Sequence, residues 1–277
     1  MPSEPRPLTA PRVTRQTRGV LALTADLGAG VVAGMTGRAG GVSSGCWASL
    51  NLGDHVGDDP GAVAENRARL AAALGVRPVY LRQVHGTTVI PVDRHTPDGI
   101  EADGCWSSDP AVACVVLVAD CLPILFAAPD GGSVAAVHAG WRGLAGQGGH
   151  GILEALADAW PAVQTSAARR ATRVWIGASI GPQRFEVGPE VRATFVQACA
   201  QDASAFRPSP LHADRWLADL AGLARRRLQR LGFARIAGND GSPAWCTASQ
   251  PSVFFSHRRD AAVLGSSGRM AAAVWRR

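Results

Sequence analysis

Between residues 113 and 139 the chain carries three strand-length apolar runs in close succession, ACVVLVAD, PILFAAP and SVAAVHA. Runs this apolar are buried on both faces, which a strand achieves only inside a sheet covered by further layers. The link from PILFAAP through DGG to SVAAVHA is short and contains glycine, as a hairpin requires, so the sheet is not purely parallel. Other strand candidates are VYLRQV (79–84), TRVWIGA (172–178) and VFFSHRRD (253–260), with a first strand in GVLALTA. Helical patterns alternate with them. In DDPGAVAENRARLAAALG (58–75) Asp59 can cap, Pro60 suits the first turn, Val63, Leu70 and Leu74 share a face, and Gly75 ends the element. GHGILEALADAW (149–160), PEVRATFVQACA (189–200) and DRWLADLAGLARRRLQRLG (214–232) are expected to be helices too. A mixed sheet covered by helices, an α+β fold, follows.

The 277 residues, 47% of them hydrophobic, support a sizeable core. Beyond a Pro- and Arg-rich leader of residues 1–18, expected to be flexible, no linker or internal repeat interrupts the pattern, so 19–277 is expected to form a single domain. Arg12, Arg15 and Arg18 ahead of GVLALTA imitate a signal peptide, but Asp26 interrupts the apolar region. No stretch approaches the roughly 20 apolar residues that span a bilayer, so no membrane partner is expected. The excess of 28 basic over 22 acidic residues favours anionic ligands. These basic residues are scattered and not interleaved with aromatics, so no nucleic-acid partner is expected. All are arginine. The absence of lysine excludes a Walker A loop and any Schiff-base or pyridoxal chemistry. Cys46, Cys105, Cys114, Cys121, Cys199 and Cys246 form no CxxC pair, which favours reduced thiols and a cytoplasmic setting.

Two apparent motifs fail in context. GAGVVA (28–33) fits a loose dinucleotide pattern, but GMTGRAGG cannot continue the helix that pattern must open. GASIG (177–181) fits the serine-hydrolase elbow, but Pro182 and the strand-like RFEVG follow where a helix should, which leaves Ser179 a poor nucleophile. Three other stretches belong together: LRQVHG (81–86), VADCLPILF (118–126) and VAAVHAGWRG (134–143) each set a His or Cys at the end of an apolar strand beside a break in regular structure. If those ends converge, His85, Cys121 and His138 supply the ligand number and softness of a catalytic zinc site with a fourth position open. The same atoms also allow two core histidines beside an ordinary buried cysteine, or a metal-free pair in which a Cys121 thiolate uses His138 or His85 as its base.

At these residues the sequence resembles the YfiH family, also called the laccase-domain or peptidoglycan editing factor family, to which the human FAMIN protein is similar. The likeness runs through GRAGGVSSGCWASLNLGDHVGDDPGAVAENRARL, RQVHG, EADG, ADCLPILF, AVHAGWRGL, IGPQRFEVG, FFSHRRD and GRMAAAVW. The resemblance implies a four-layer sandwich of mixed sheets and helices, with zinc on the residues matching His85, Cys121 and His138. It implies phosphorolysis of purine nucleosides, including adenosine, inosine and methylthioadenosine, and deamination of adenosine. Family members also carry a copper polyphenol oxidase label. Multicopper sites need histidines clustered as HxH pairs, of which this sequence has none, so copper is the less favoured metal. Departures from the family pattern fall at Gln183, Arg184 and Phe185, at His257, and at Gly37.

Purine nucleosides and phosphate are therefore the expected partners, of a monomer or homodimer. Phosphorolysis needs an anion placed against the anomeric carbon, and the planar fork of arginine suits it: Arg38 in a Gly-rich loop and Arg142 beside His138 are the candidates. The standard HxE and PCxxC deaminase signature is absent, so any deamination uses another scaffold. Asp120, next to Cys121, and Asp103, in EADG, are the candidate assisting carboxylates. Two readings compete: an amidohydrolase that removes a wrong amino acid from a cell-wall precursor, and a non-catalytic module that senses a purine or an anionic partner.

Overall fold

The computed structural model describes residues 20–277, and the expected leader of residues 1–18 lies outside them. Strands β1 (Leu21–Ala25) and β2 (Val31–Thr36) form a hairpin ahead of helix α1 (Pro60–Leu74). Then come β3 (Arg77–Val79), β4 (Val89–Pro91), β5 (Gly104–Ser107), β6 (Val112–Val118), β7 (Leu122–Ala127) and β8 (Val134–Ala139). The chain continues through α2 (Trp141–Ala145), α3 (Ile152–Ala159), α4 (Ser166–Ala171), β9 (Arg173–Ile176), β10 (Glu186–Val187) and α5 (Pro189–Ala198). It closes with β11 (Phe206–Pro208), β12 (Trp216–Ala218), α6 (Leu220–Arg230), β13 (Arg235–Gly238), α7 (His257–Leu264) and β14 (Met270–Arg276).

One sheet has the order β1-β2-β14-β6-β3 and a second the order β13-β9-β7-β8-β5-β4, while β10-β12-β11 form a small third sheet. Both large sheets are mixed: β3·β6, β4·β5 and β9·β13 run parallel and the other pairs antiparallel. Alternation along the strands assigns each face. On β6, Val112, Cys114 and Val116 pack between the two large sheets, while Ala113, Val115 and Leu117 turn outward to Leu70 and Leu74 of α1. On β7, Leu125 and Ala127 face the first sheet, while Leu122, Ile124 and Phe126 face Leu156 of α3, Phe195 of α5 and Leu228 of α6. The layers therefore run helix, sheet, sheet, helices, which is the expected four-layer sandwich.

Local chemistry explains where the elements begin and end. The Asp59 carboxylate accepts the Ala62 N–H at 2.7 Å, Pro60 opens α1, and Gly75 ends it in the left-handed region. The expected hairpin of β7 and β8 forms, with Phe126 opposite Ala135. Four expectations shift. VYLRQV is a strand only to Val79, because Asp98 takes the Tyr80 N–H at 3.0 Å in place of a ladder bond. VFFSHRRD is not a strand: Phe254 and Phe255 are buried from an irregular segment, and the Ser256 hydroxyl accepts the Arg259 N–H to start α7. The helix expected from residue 214 starts at Leu220, where Asp219 caps it, because Trp216–Ala218 pair into the small sheet. Helix α3 likewise starts only at Ile152, after a glycine turn. Neither apparent motif opens a helix, since VVAGMT is β2 and Ser179 is fully buried with its Oγ held by Asn239 Nδ2 at 3.2 Å.

Candidate metal centre and adjoining cleft

His138 is buried near the end of β8, opposite Pro123 of β7. Its neighbours Val137 and Ala139 face the helical layer, so the imidazole turns the other way, toward the seam between the sheets. Cys121 reaches that seam from a different direction. It stands in the three-residue crossing from β6 in the first sheet to β7 in the second, and Asp120 makes the corner with φ of +83°. A non-glycine residue holds that conformation only when its surroundings fix it. Here Thr247 Oγ1 donates to one Asp120 oxygen at 2.5 Å, and the Arg258 N–H in the first turn of α7 donates to the other at 2.6 Å.

His85 comes from the loop after β3. Its φ is +61°, and the loop is fixed on both sides. Gln83 acts as a stand-in ladder residue: its amide donates to the Leu117 carbonyl at 2.8 Å and accepts the Leu117 N–H at 2.7 Å at the end of β6. Asp103, fully buried ahead of β5, accepts the backbone N–H groups of Val84, His85 and Gly86 at 3.1, 2.9 and 2.7 Å. The same carboxylate binds His138 Nδ1 at 2.8 Å. One side chain thus orients two of the three candidate ligands. Burial pushes the Asp103 carboxyl up, but the His138 contact and the backbone amides outweigh it and hold the group below the ordinary range.

The ligand atoms of His85, Cys121 and His138 lie within 4.8 Å of one another, and no other such group occurs among the described residues. The two rings meet edge to face at 4.8 Å between centroids. Burial works against charge on Cys121 and His138 alike. Each nevertheless favours charge on the other, so the thiol is shifted down and the imidazole, supported by Asp103, up. The neighbouring histidines thus draw the Cys121 thiol toward its anionic form, the form in which cysteine binds a metal ion. The fit to zinc is good on two counts. His85 Nε2 and Cys121 Sγ are 3.6 Å apart, which matches the spacing of about 3.6 Å that tetrahedral bonds of about 2.1 and 2.3 Å impose. Asp103 occupies Nδ1 of His138 and so leaves Nε2 as the free nitrogen, the carboxylate–histidine arrangement common behind zinc.

Gly140 lets the three groups meet. A Cβ there would fall 2.7 Å from His85 Cδ2 and 3.1 Å from Cys121 Sγ. The segment AGWRG leads from β8 straight into α2, with Gly140 as the helix cap. This directs Arg142 outward, its guanidinium 4.5 Å over the Trp141 ring. Arg142 and His85 line one cleft of about 680 Å³, together with Thr87, Gln147, His150 and Thr194. Arg38 does not line it. Its Nε and Nη1 donate to the carbonyls of Ala48 and Pro251, each at 3.0 Å, and its guanidinium rests 4.7 Å from the Phe255 ring.

Sequence reasoning missed Gln83 and Arg269. Burial makes the Arg269 guanidinium easier to deprotonate, and the charges of Cys121 and Asp120 oppose that, so Arg269 contributes to the field at the sulfur. Burial and then Arg269 also hold the His257 imidazole below its ordinary value. Only the basic residue in GRMAAAVW hinted at this contribution.

Residues 32–277 match the model of a family described as multi-copper polyphenol oxidoreductase laccase. A Pseudomonas aeruginosa protein named purine nucleoside phosphorylase is 46% identical over 241 residues, covering 87% of this chain and 91% of that protein. The Escherichia coli protein named purine nucleoside phosphorylase YfiH is 42% identical over 248 residues, covering 89% and 94%. Among solved structures, a Neisseria meningitidis protein superposes with a TM-score of 0.80 at 38% identity, covering 92% of this chain and 98% of that one. YlmD from Geobacillus stearothermophilus superposes with a TM-score of 0.76 at 34% identity, covering 91% and 94%.

Proposed function

The chain belongs to the family described as multi-copper polyphenol oxidoreductase laccase, and from that membership and the site geometry we propose that it is a zinc-dependent purine nucleoside phosphorylase. One observation carries the reading: His85 belongs both to the His-Cys-His donor set and to the wall of a cleft that also presents an arginine. Adenosine, inosine and methylthioadenosine are the proposed substrates, with adenosine deamination as a second activity. Zinc is preferred to copper because the described residues contain a single three-donor group and the chain has no HxH pair. The six cysteines are free thiols, in keeping with a reducing compartment such as the cytoplasm. No described helix is long and apolar enough to cross a membrane. Residues 19–277 are taken to act as one catalytic domain.

In phosphorolysis the C1′–N9 bond breaks with its electron pair passing to the base, which takes up a proton, while a phosphate oxygen forms the new bond to C1′. Arg142 is assigned the phosphate, since no carboxylate pairs with its guanidinium among the described residues and the cleft leaves it accessible. Arg38 is not assigned the phosphate, because it lies off this cleft and two of its donors are already spent on carbonyls. Asp103 keeps His138 and the His85 loop aligned, and Asp120 keeps Cys121 at its corner; both are positioning residues. A zinc ion on His85, Cys121 and His138 would supply Lewis-acid polarisation.

The test is to incubate purified protein with adenosine or inosine and phosphate and to look for ribose 1-phosphate. Replacing His138 with Ala is expected to remove metal and turnover while the fold persists. Replacing Arg142 with Ala is expected to keep the metal and lose phosphate-dependent turnover, with deamination less affected. No product from any purine nucleoside would overturn the reading. A second reading draws on Cys121, His138 and Asp103 as nucleophile, base and orienting acid of a cell-wall amidohydrolase. It requires amide hydrolysis by metal-free protein, abolished when Cys121 is alkylated.

A further inference from the structure

The cleft beside His85 contains a polar group to which the roles above give no task. Gln147 sits on the glycine turn that follows α2, and the backbone of that turn is fixed from several sides. The Gln147 N–H donates to the His150 carbonyl at 3.3 Å, and the His150 N–H returns a bond to Gln147 at 2.9 Å. Arg227, buried on α6, donates to the Gly149 carbonyl and to Glu154 Oε1, the latter at 2.7 Å. Glu154 in turn accepts the Gly151 N–H at 2.9 Å. The side chain of Gln147 is different: it is exposed to the cleft and hydrogen-bonds to no described residue. Two other polar groups of the cleft are already engaged, His150 with Asp158 at 2.9 Å and Thr194 with the Glu190 carbonyl at 2.8 Å. The result is a free amide on a fixed backbone, lining the cleft proposed above to take the substrate.

A primary amide donates from one end and accepts at the other, and a half-turn about its last bond exchanges the two. Adenosine presents a 6-amino donor beside the N7 acceptor, and inosine a 6-oxo acceptor beside the same N7. We infer that Gln147 reads the 6-position of the purine and admits both bases because its amide can turn to suit either. The inference rests on the phosphorylase reading and adds to it a residue that sets base preference.

Q147E leaves only acceptors and should favour the 6-amino base; Q147K leaves only donors and should favour the 6-oxo base. The readout is the ratio of kcat/KM for adenosine to that for inosine, from initial rates of adenine and hypoxanthine release at one phosphate concentration. Any effect of the new charge on phosphate then cancels. The ratio should rise roughly tenfold in Q147E and fall roughly tenfold in Q147K, the scale of a good polar contact to a base edge. If a variant is inactive, the relative affinities of free adenine and hypoxanthine, from thermal shift, read the same preference. Ratios that stay within twofold of wild type in both variants, or that move in the wrong direction, overturn the inference. Absence of phosphorolysis in the wild-type protein would instead overturn the reading beneath it.

Discussion

Replacing Gly140 with Ala tests whether the three donors depend on a missing side chain. Gly140 has φ −65° and ψ 162°, which alanine adopts freely, so the backbone itself bears no strain from the change. The cost is steric and falls on the site. The new Cβ would lie 2.7 Å from His85 Cδ2, so the ring must retreat by at least about 0.7 Å to reach an ordinary contact. Metal sites tolerate about 0.2 Å in ligand distance, so the displacement exceeds the tolerance severalfold. His85 cannot simply swing aside, because Asp103 holds the N–H groups of Val84, His85 and Gly86 together. Overpacking of this kind costs about 1–3 kcal/mol, and alanine at a helix N-cap adds up to about 1. With about 2 °C per kcal/mol for a chain of this size, the metal-free melting temperature should fall by several degrees without loss of fold. Zinc affinity, measured by competition with a chromophoric chelator, should fall by tenfold to a hundredfold or more, the scale seen when support around a ligand is lost. A variant that binds zinc within about threefold of wild type would refute the argument that Gly140 makes room for the ligand set.

Asp103→Asn should weaken metal binding and stability together. Each carboxylate oxygen now takes two N–H groups, and an amide NH₂ would face one of those pairs as a second donor. At about 1–3 kcal/mol for each buried donor left unsatisfied, chemical denaturation should show a loss of about 2–6 kcal/mol. A loss below about 1 kcal/mol would show that the loop satisfies itself in another way. Asp260 gives a pH dependence with a definite sign. Burial pushes its carboxyl up, but the two-point contact with Arg259 and the Ser256 N–H outweigh this and hold it below its ordinary value. Its stabilisation is complete above the unfolded value of about 3.9 and is lost as pH falls through the lower folded value. The urea midpoint of the wild-type protein should therefore drop in acid, and Asp260→Asn should flatten that limb; an equally steep drop in the variant would remove Asp260 as its cause.

The sandwich could be read from the sequence where burial on two faces left a strand no alternative, as in ACVVLVAD, PILFAAP and SVAAVHA. It was hidden where composition misleads. β14 holds the centre of the first sheet, between β2 and β6, yet its MAAAVWR is rich in alanine, which has little intrinsic preference for strands. VFFSHRRD has the composition of a strand, but a serine cap decides its fate. In the site, the three donors stood out because each sits beside an apolar run. Their arrangement did not, since it depends on tertiary features: the left-handed corner at Asp120, the four N–H groups gathered by Asp103, and a contact distance at Gly140. An aspartate in EADG looks like any turn aspartate until its partners are known.

The position of β14 also bears on how the molecule assembles. The β1–β2 hairpin reaches the rest of its sheet only through a strand that lies almost the whole described chain later. Pairings so distant in sequence form slowly and leave an open edge exposed in the meantime. The three donors belong to a much shorter segment, residues 85–138, and can gather sooner. The clamp on Asp120 comes from α7, among the later elements. In a chain emerging from the ribosome the three candidate ligands therefore precede the segment that locks the corner beneath Cys121. Metal added during refolding should be captured in an early phase and become hard to extract only in a later one, as the last strand docks.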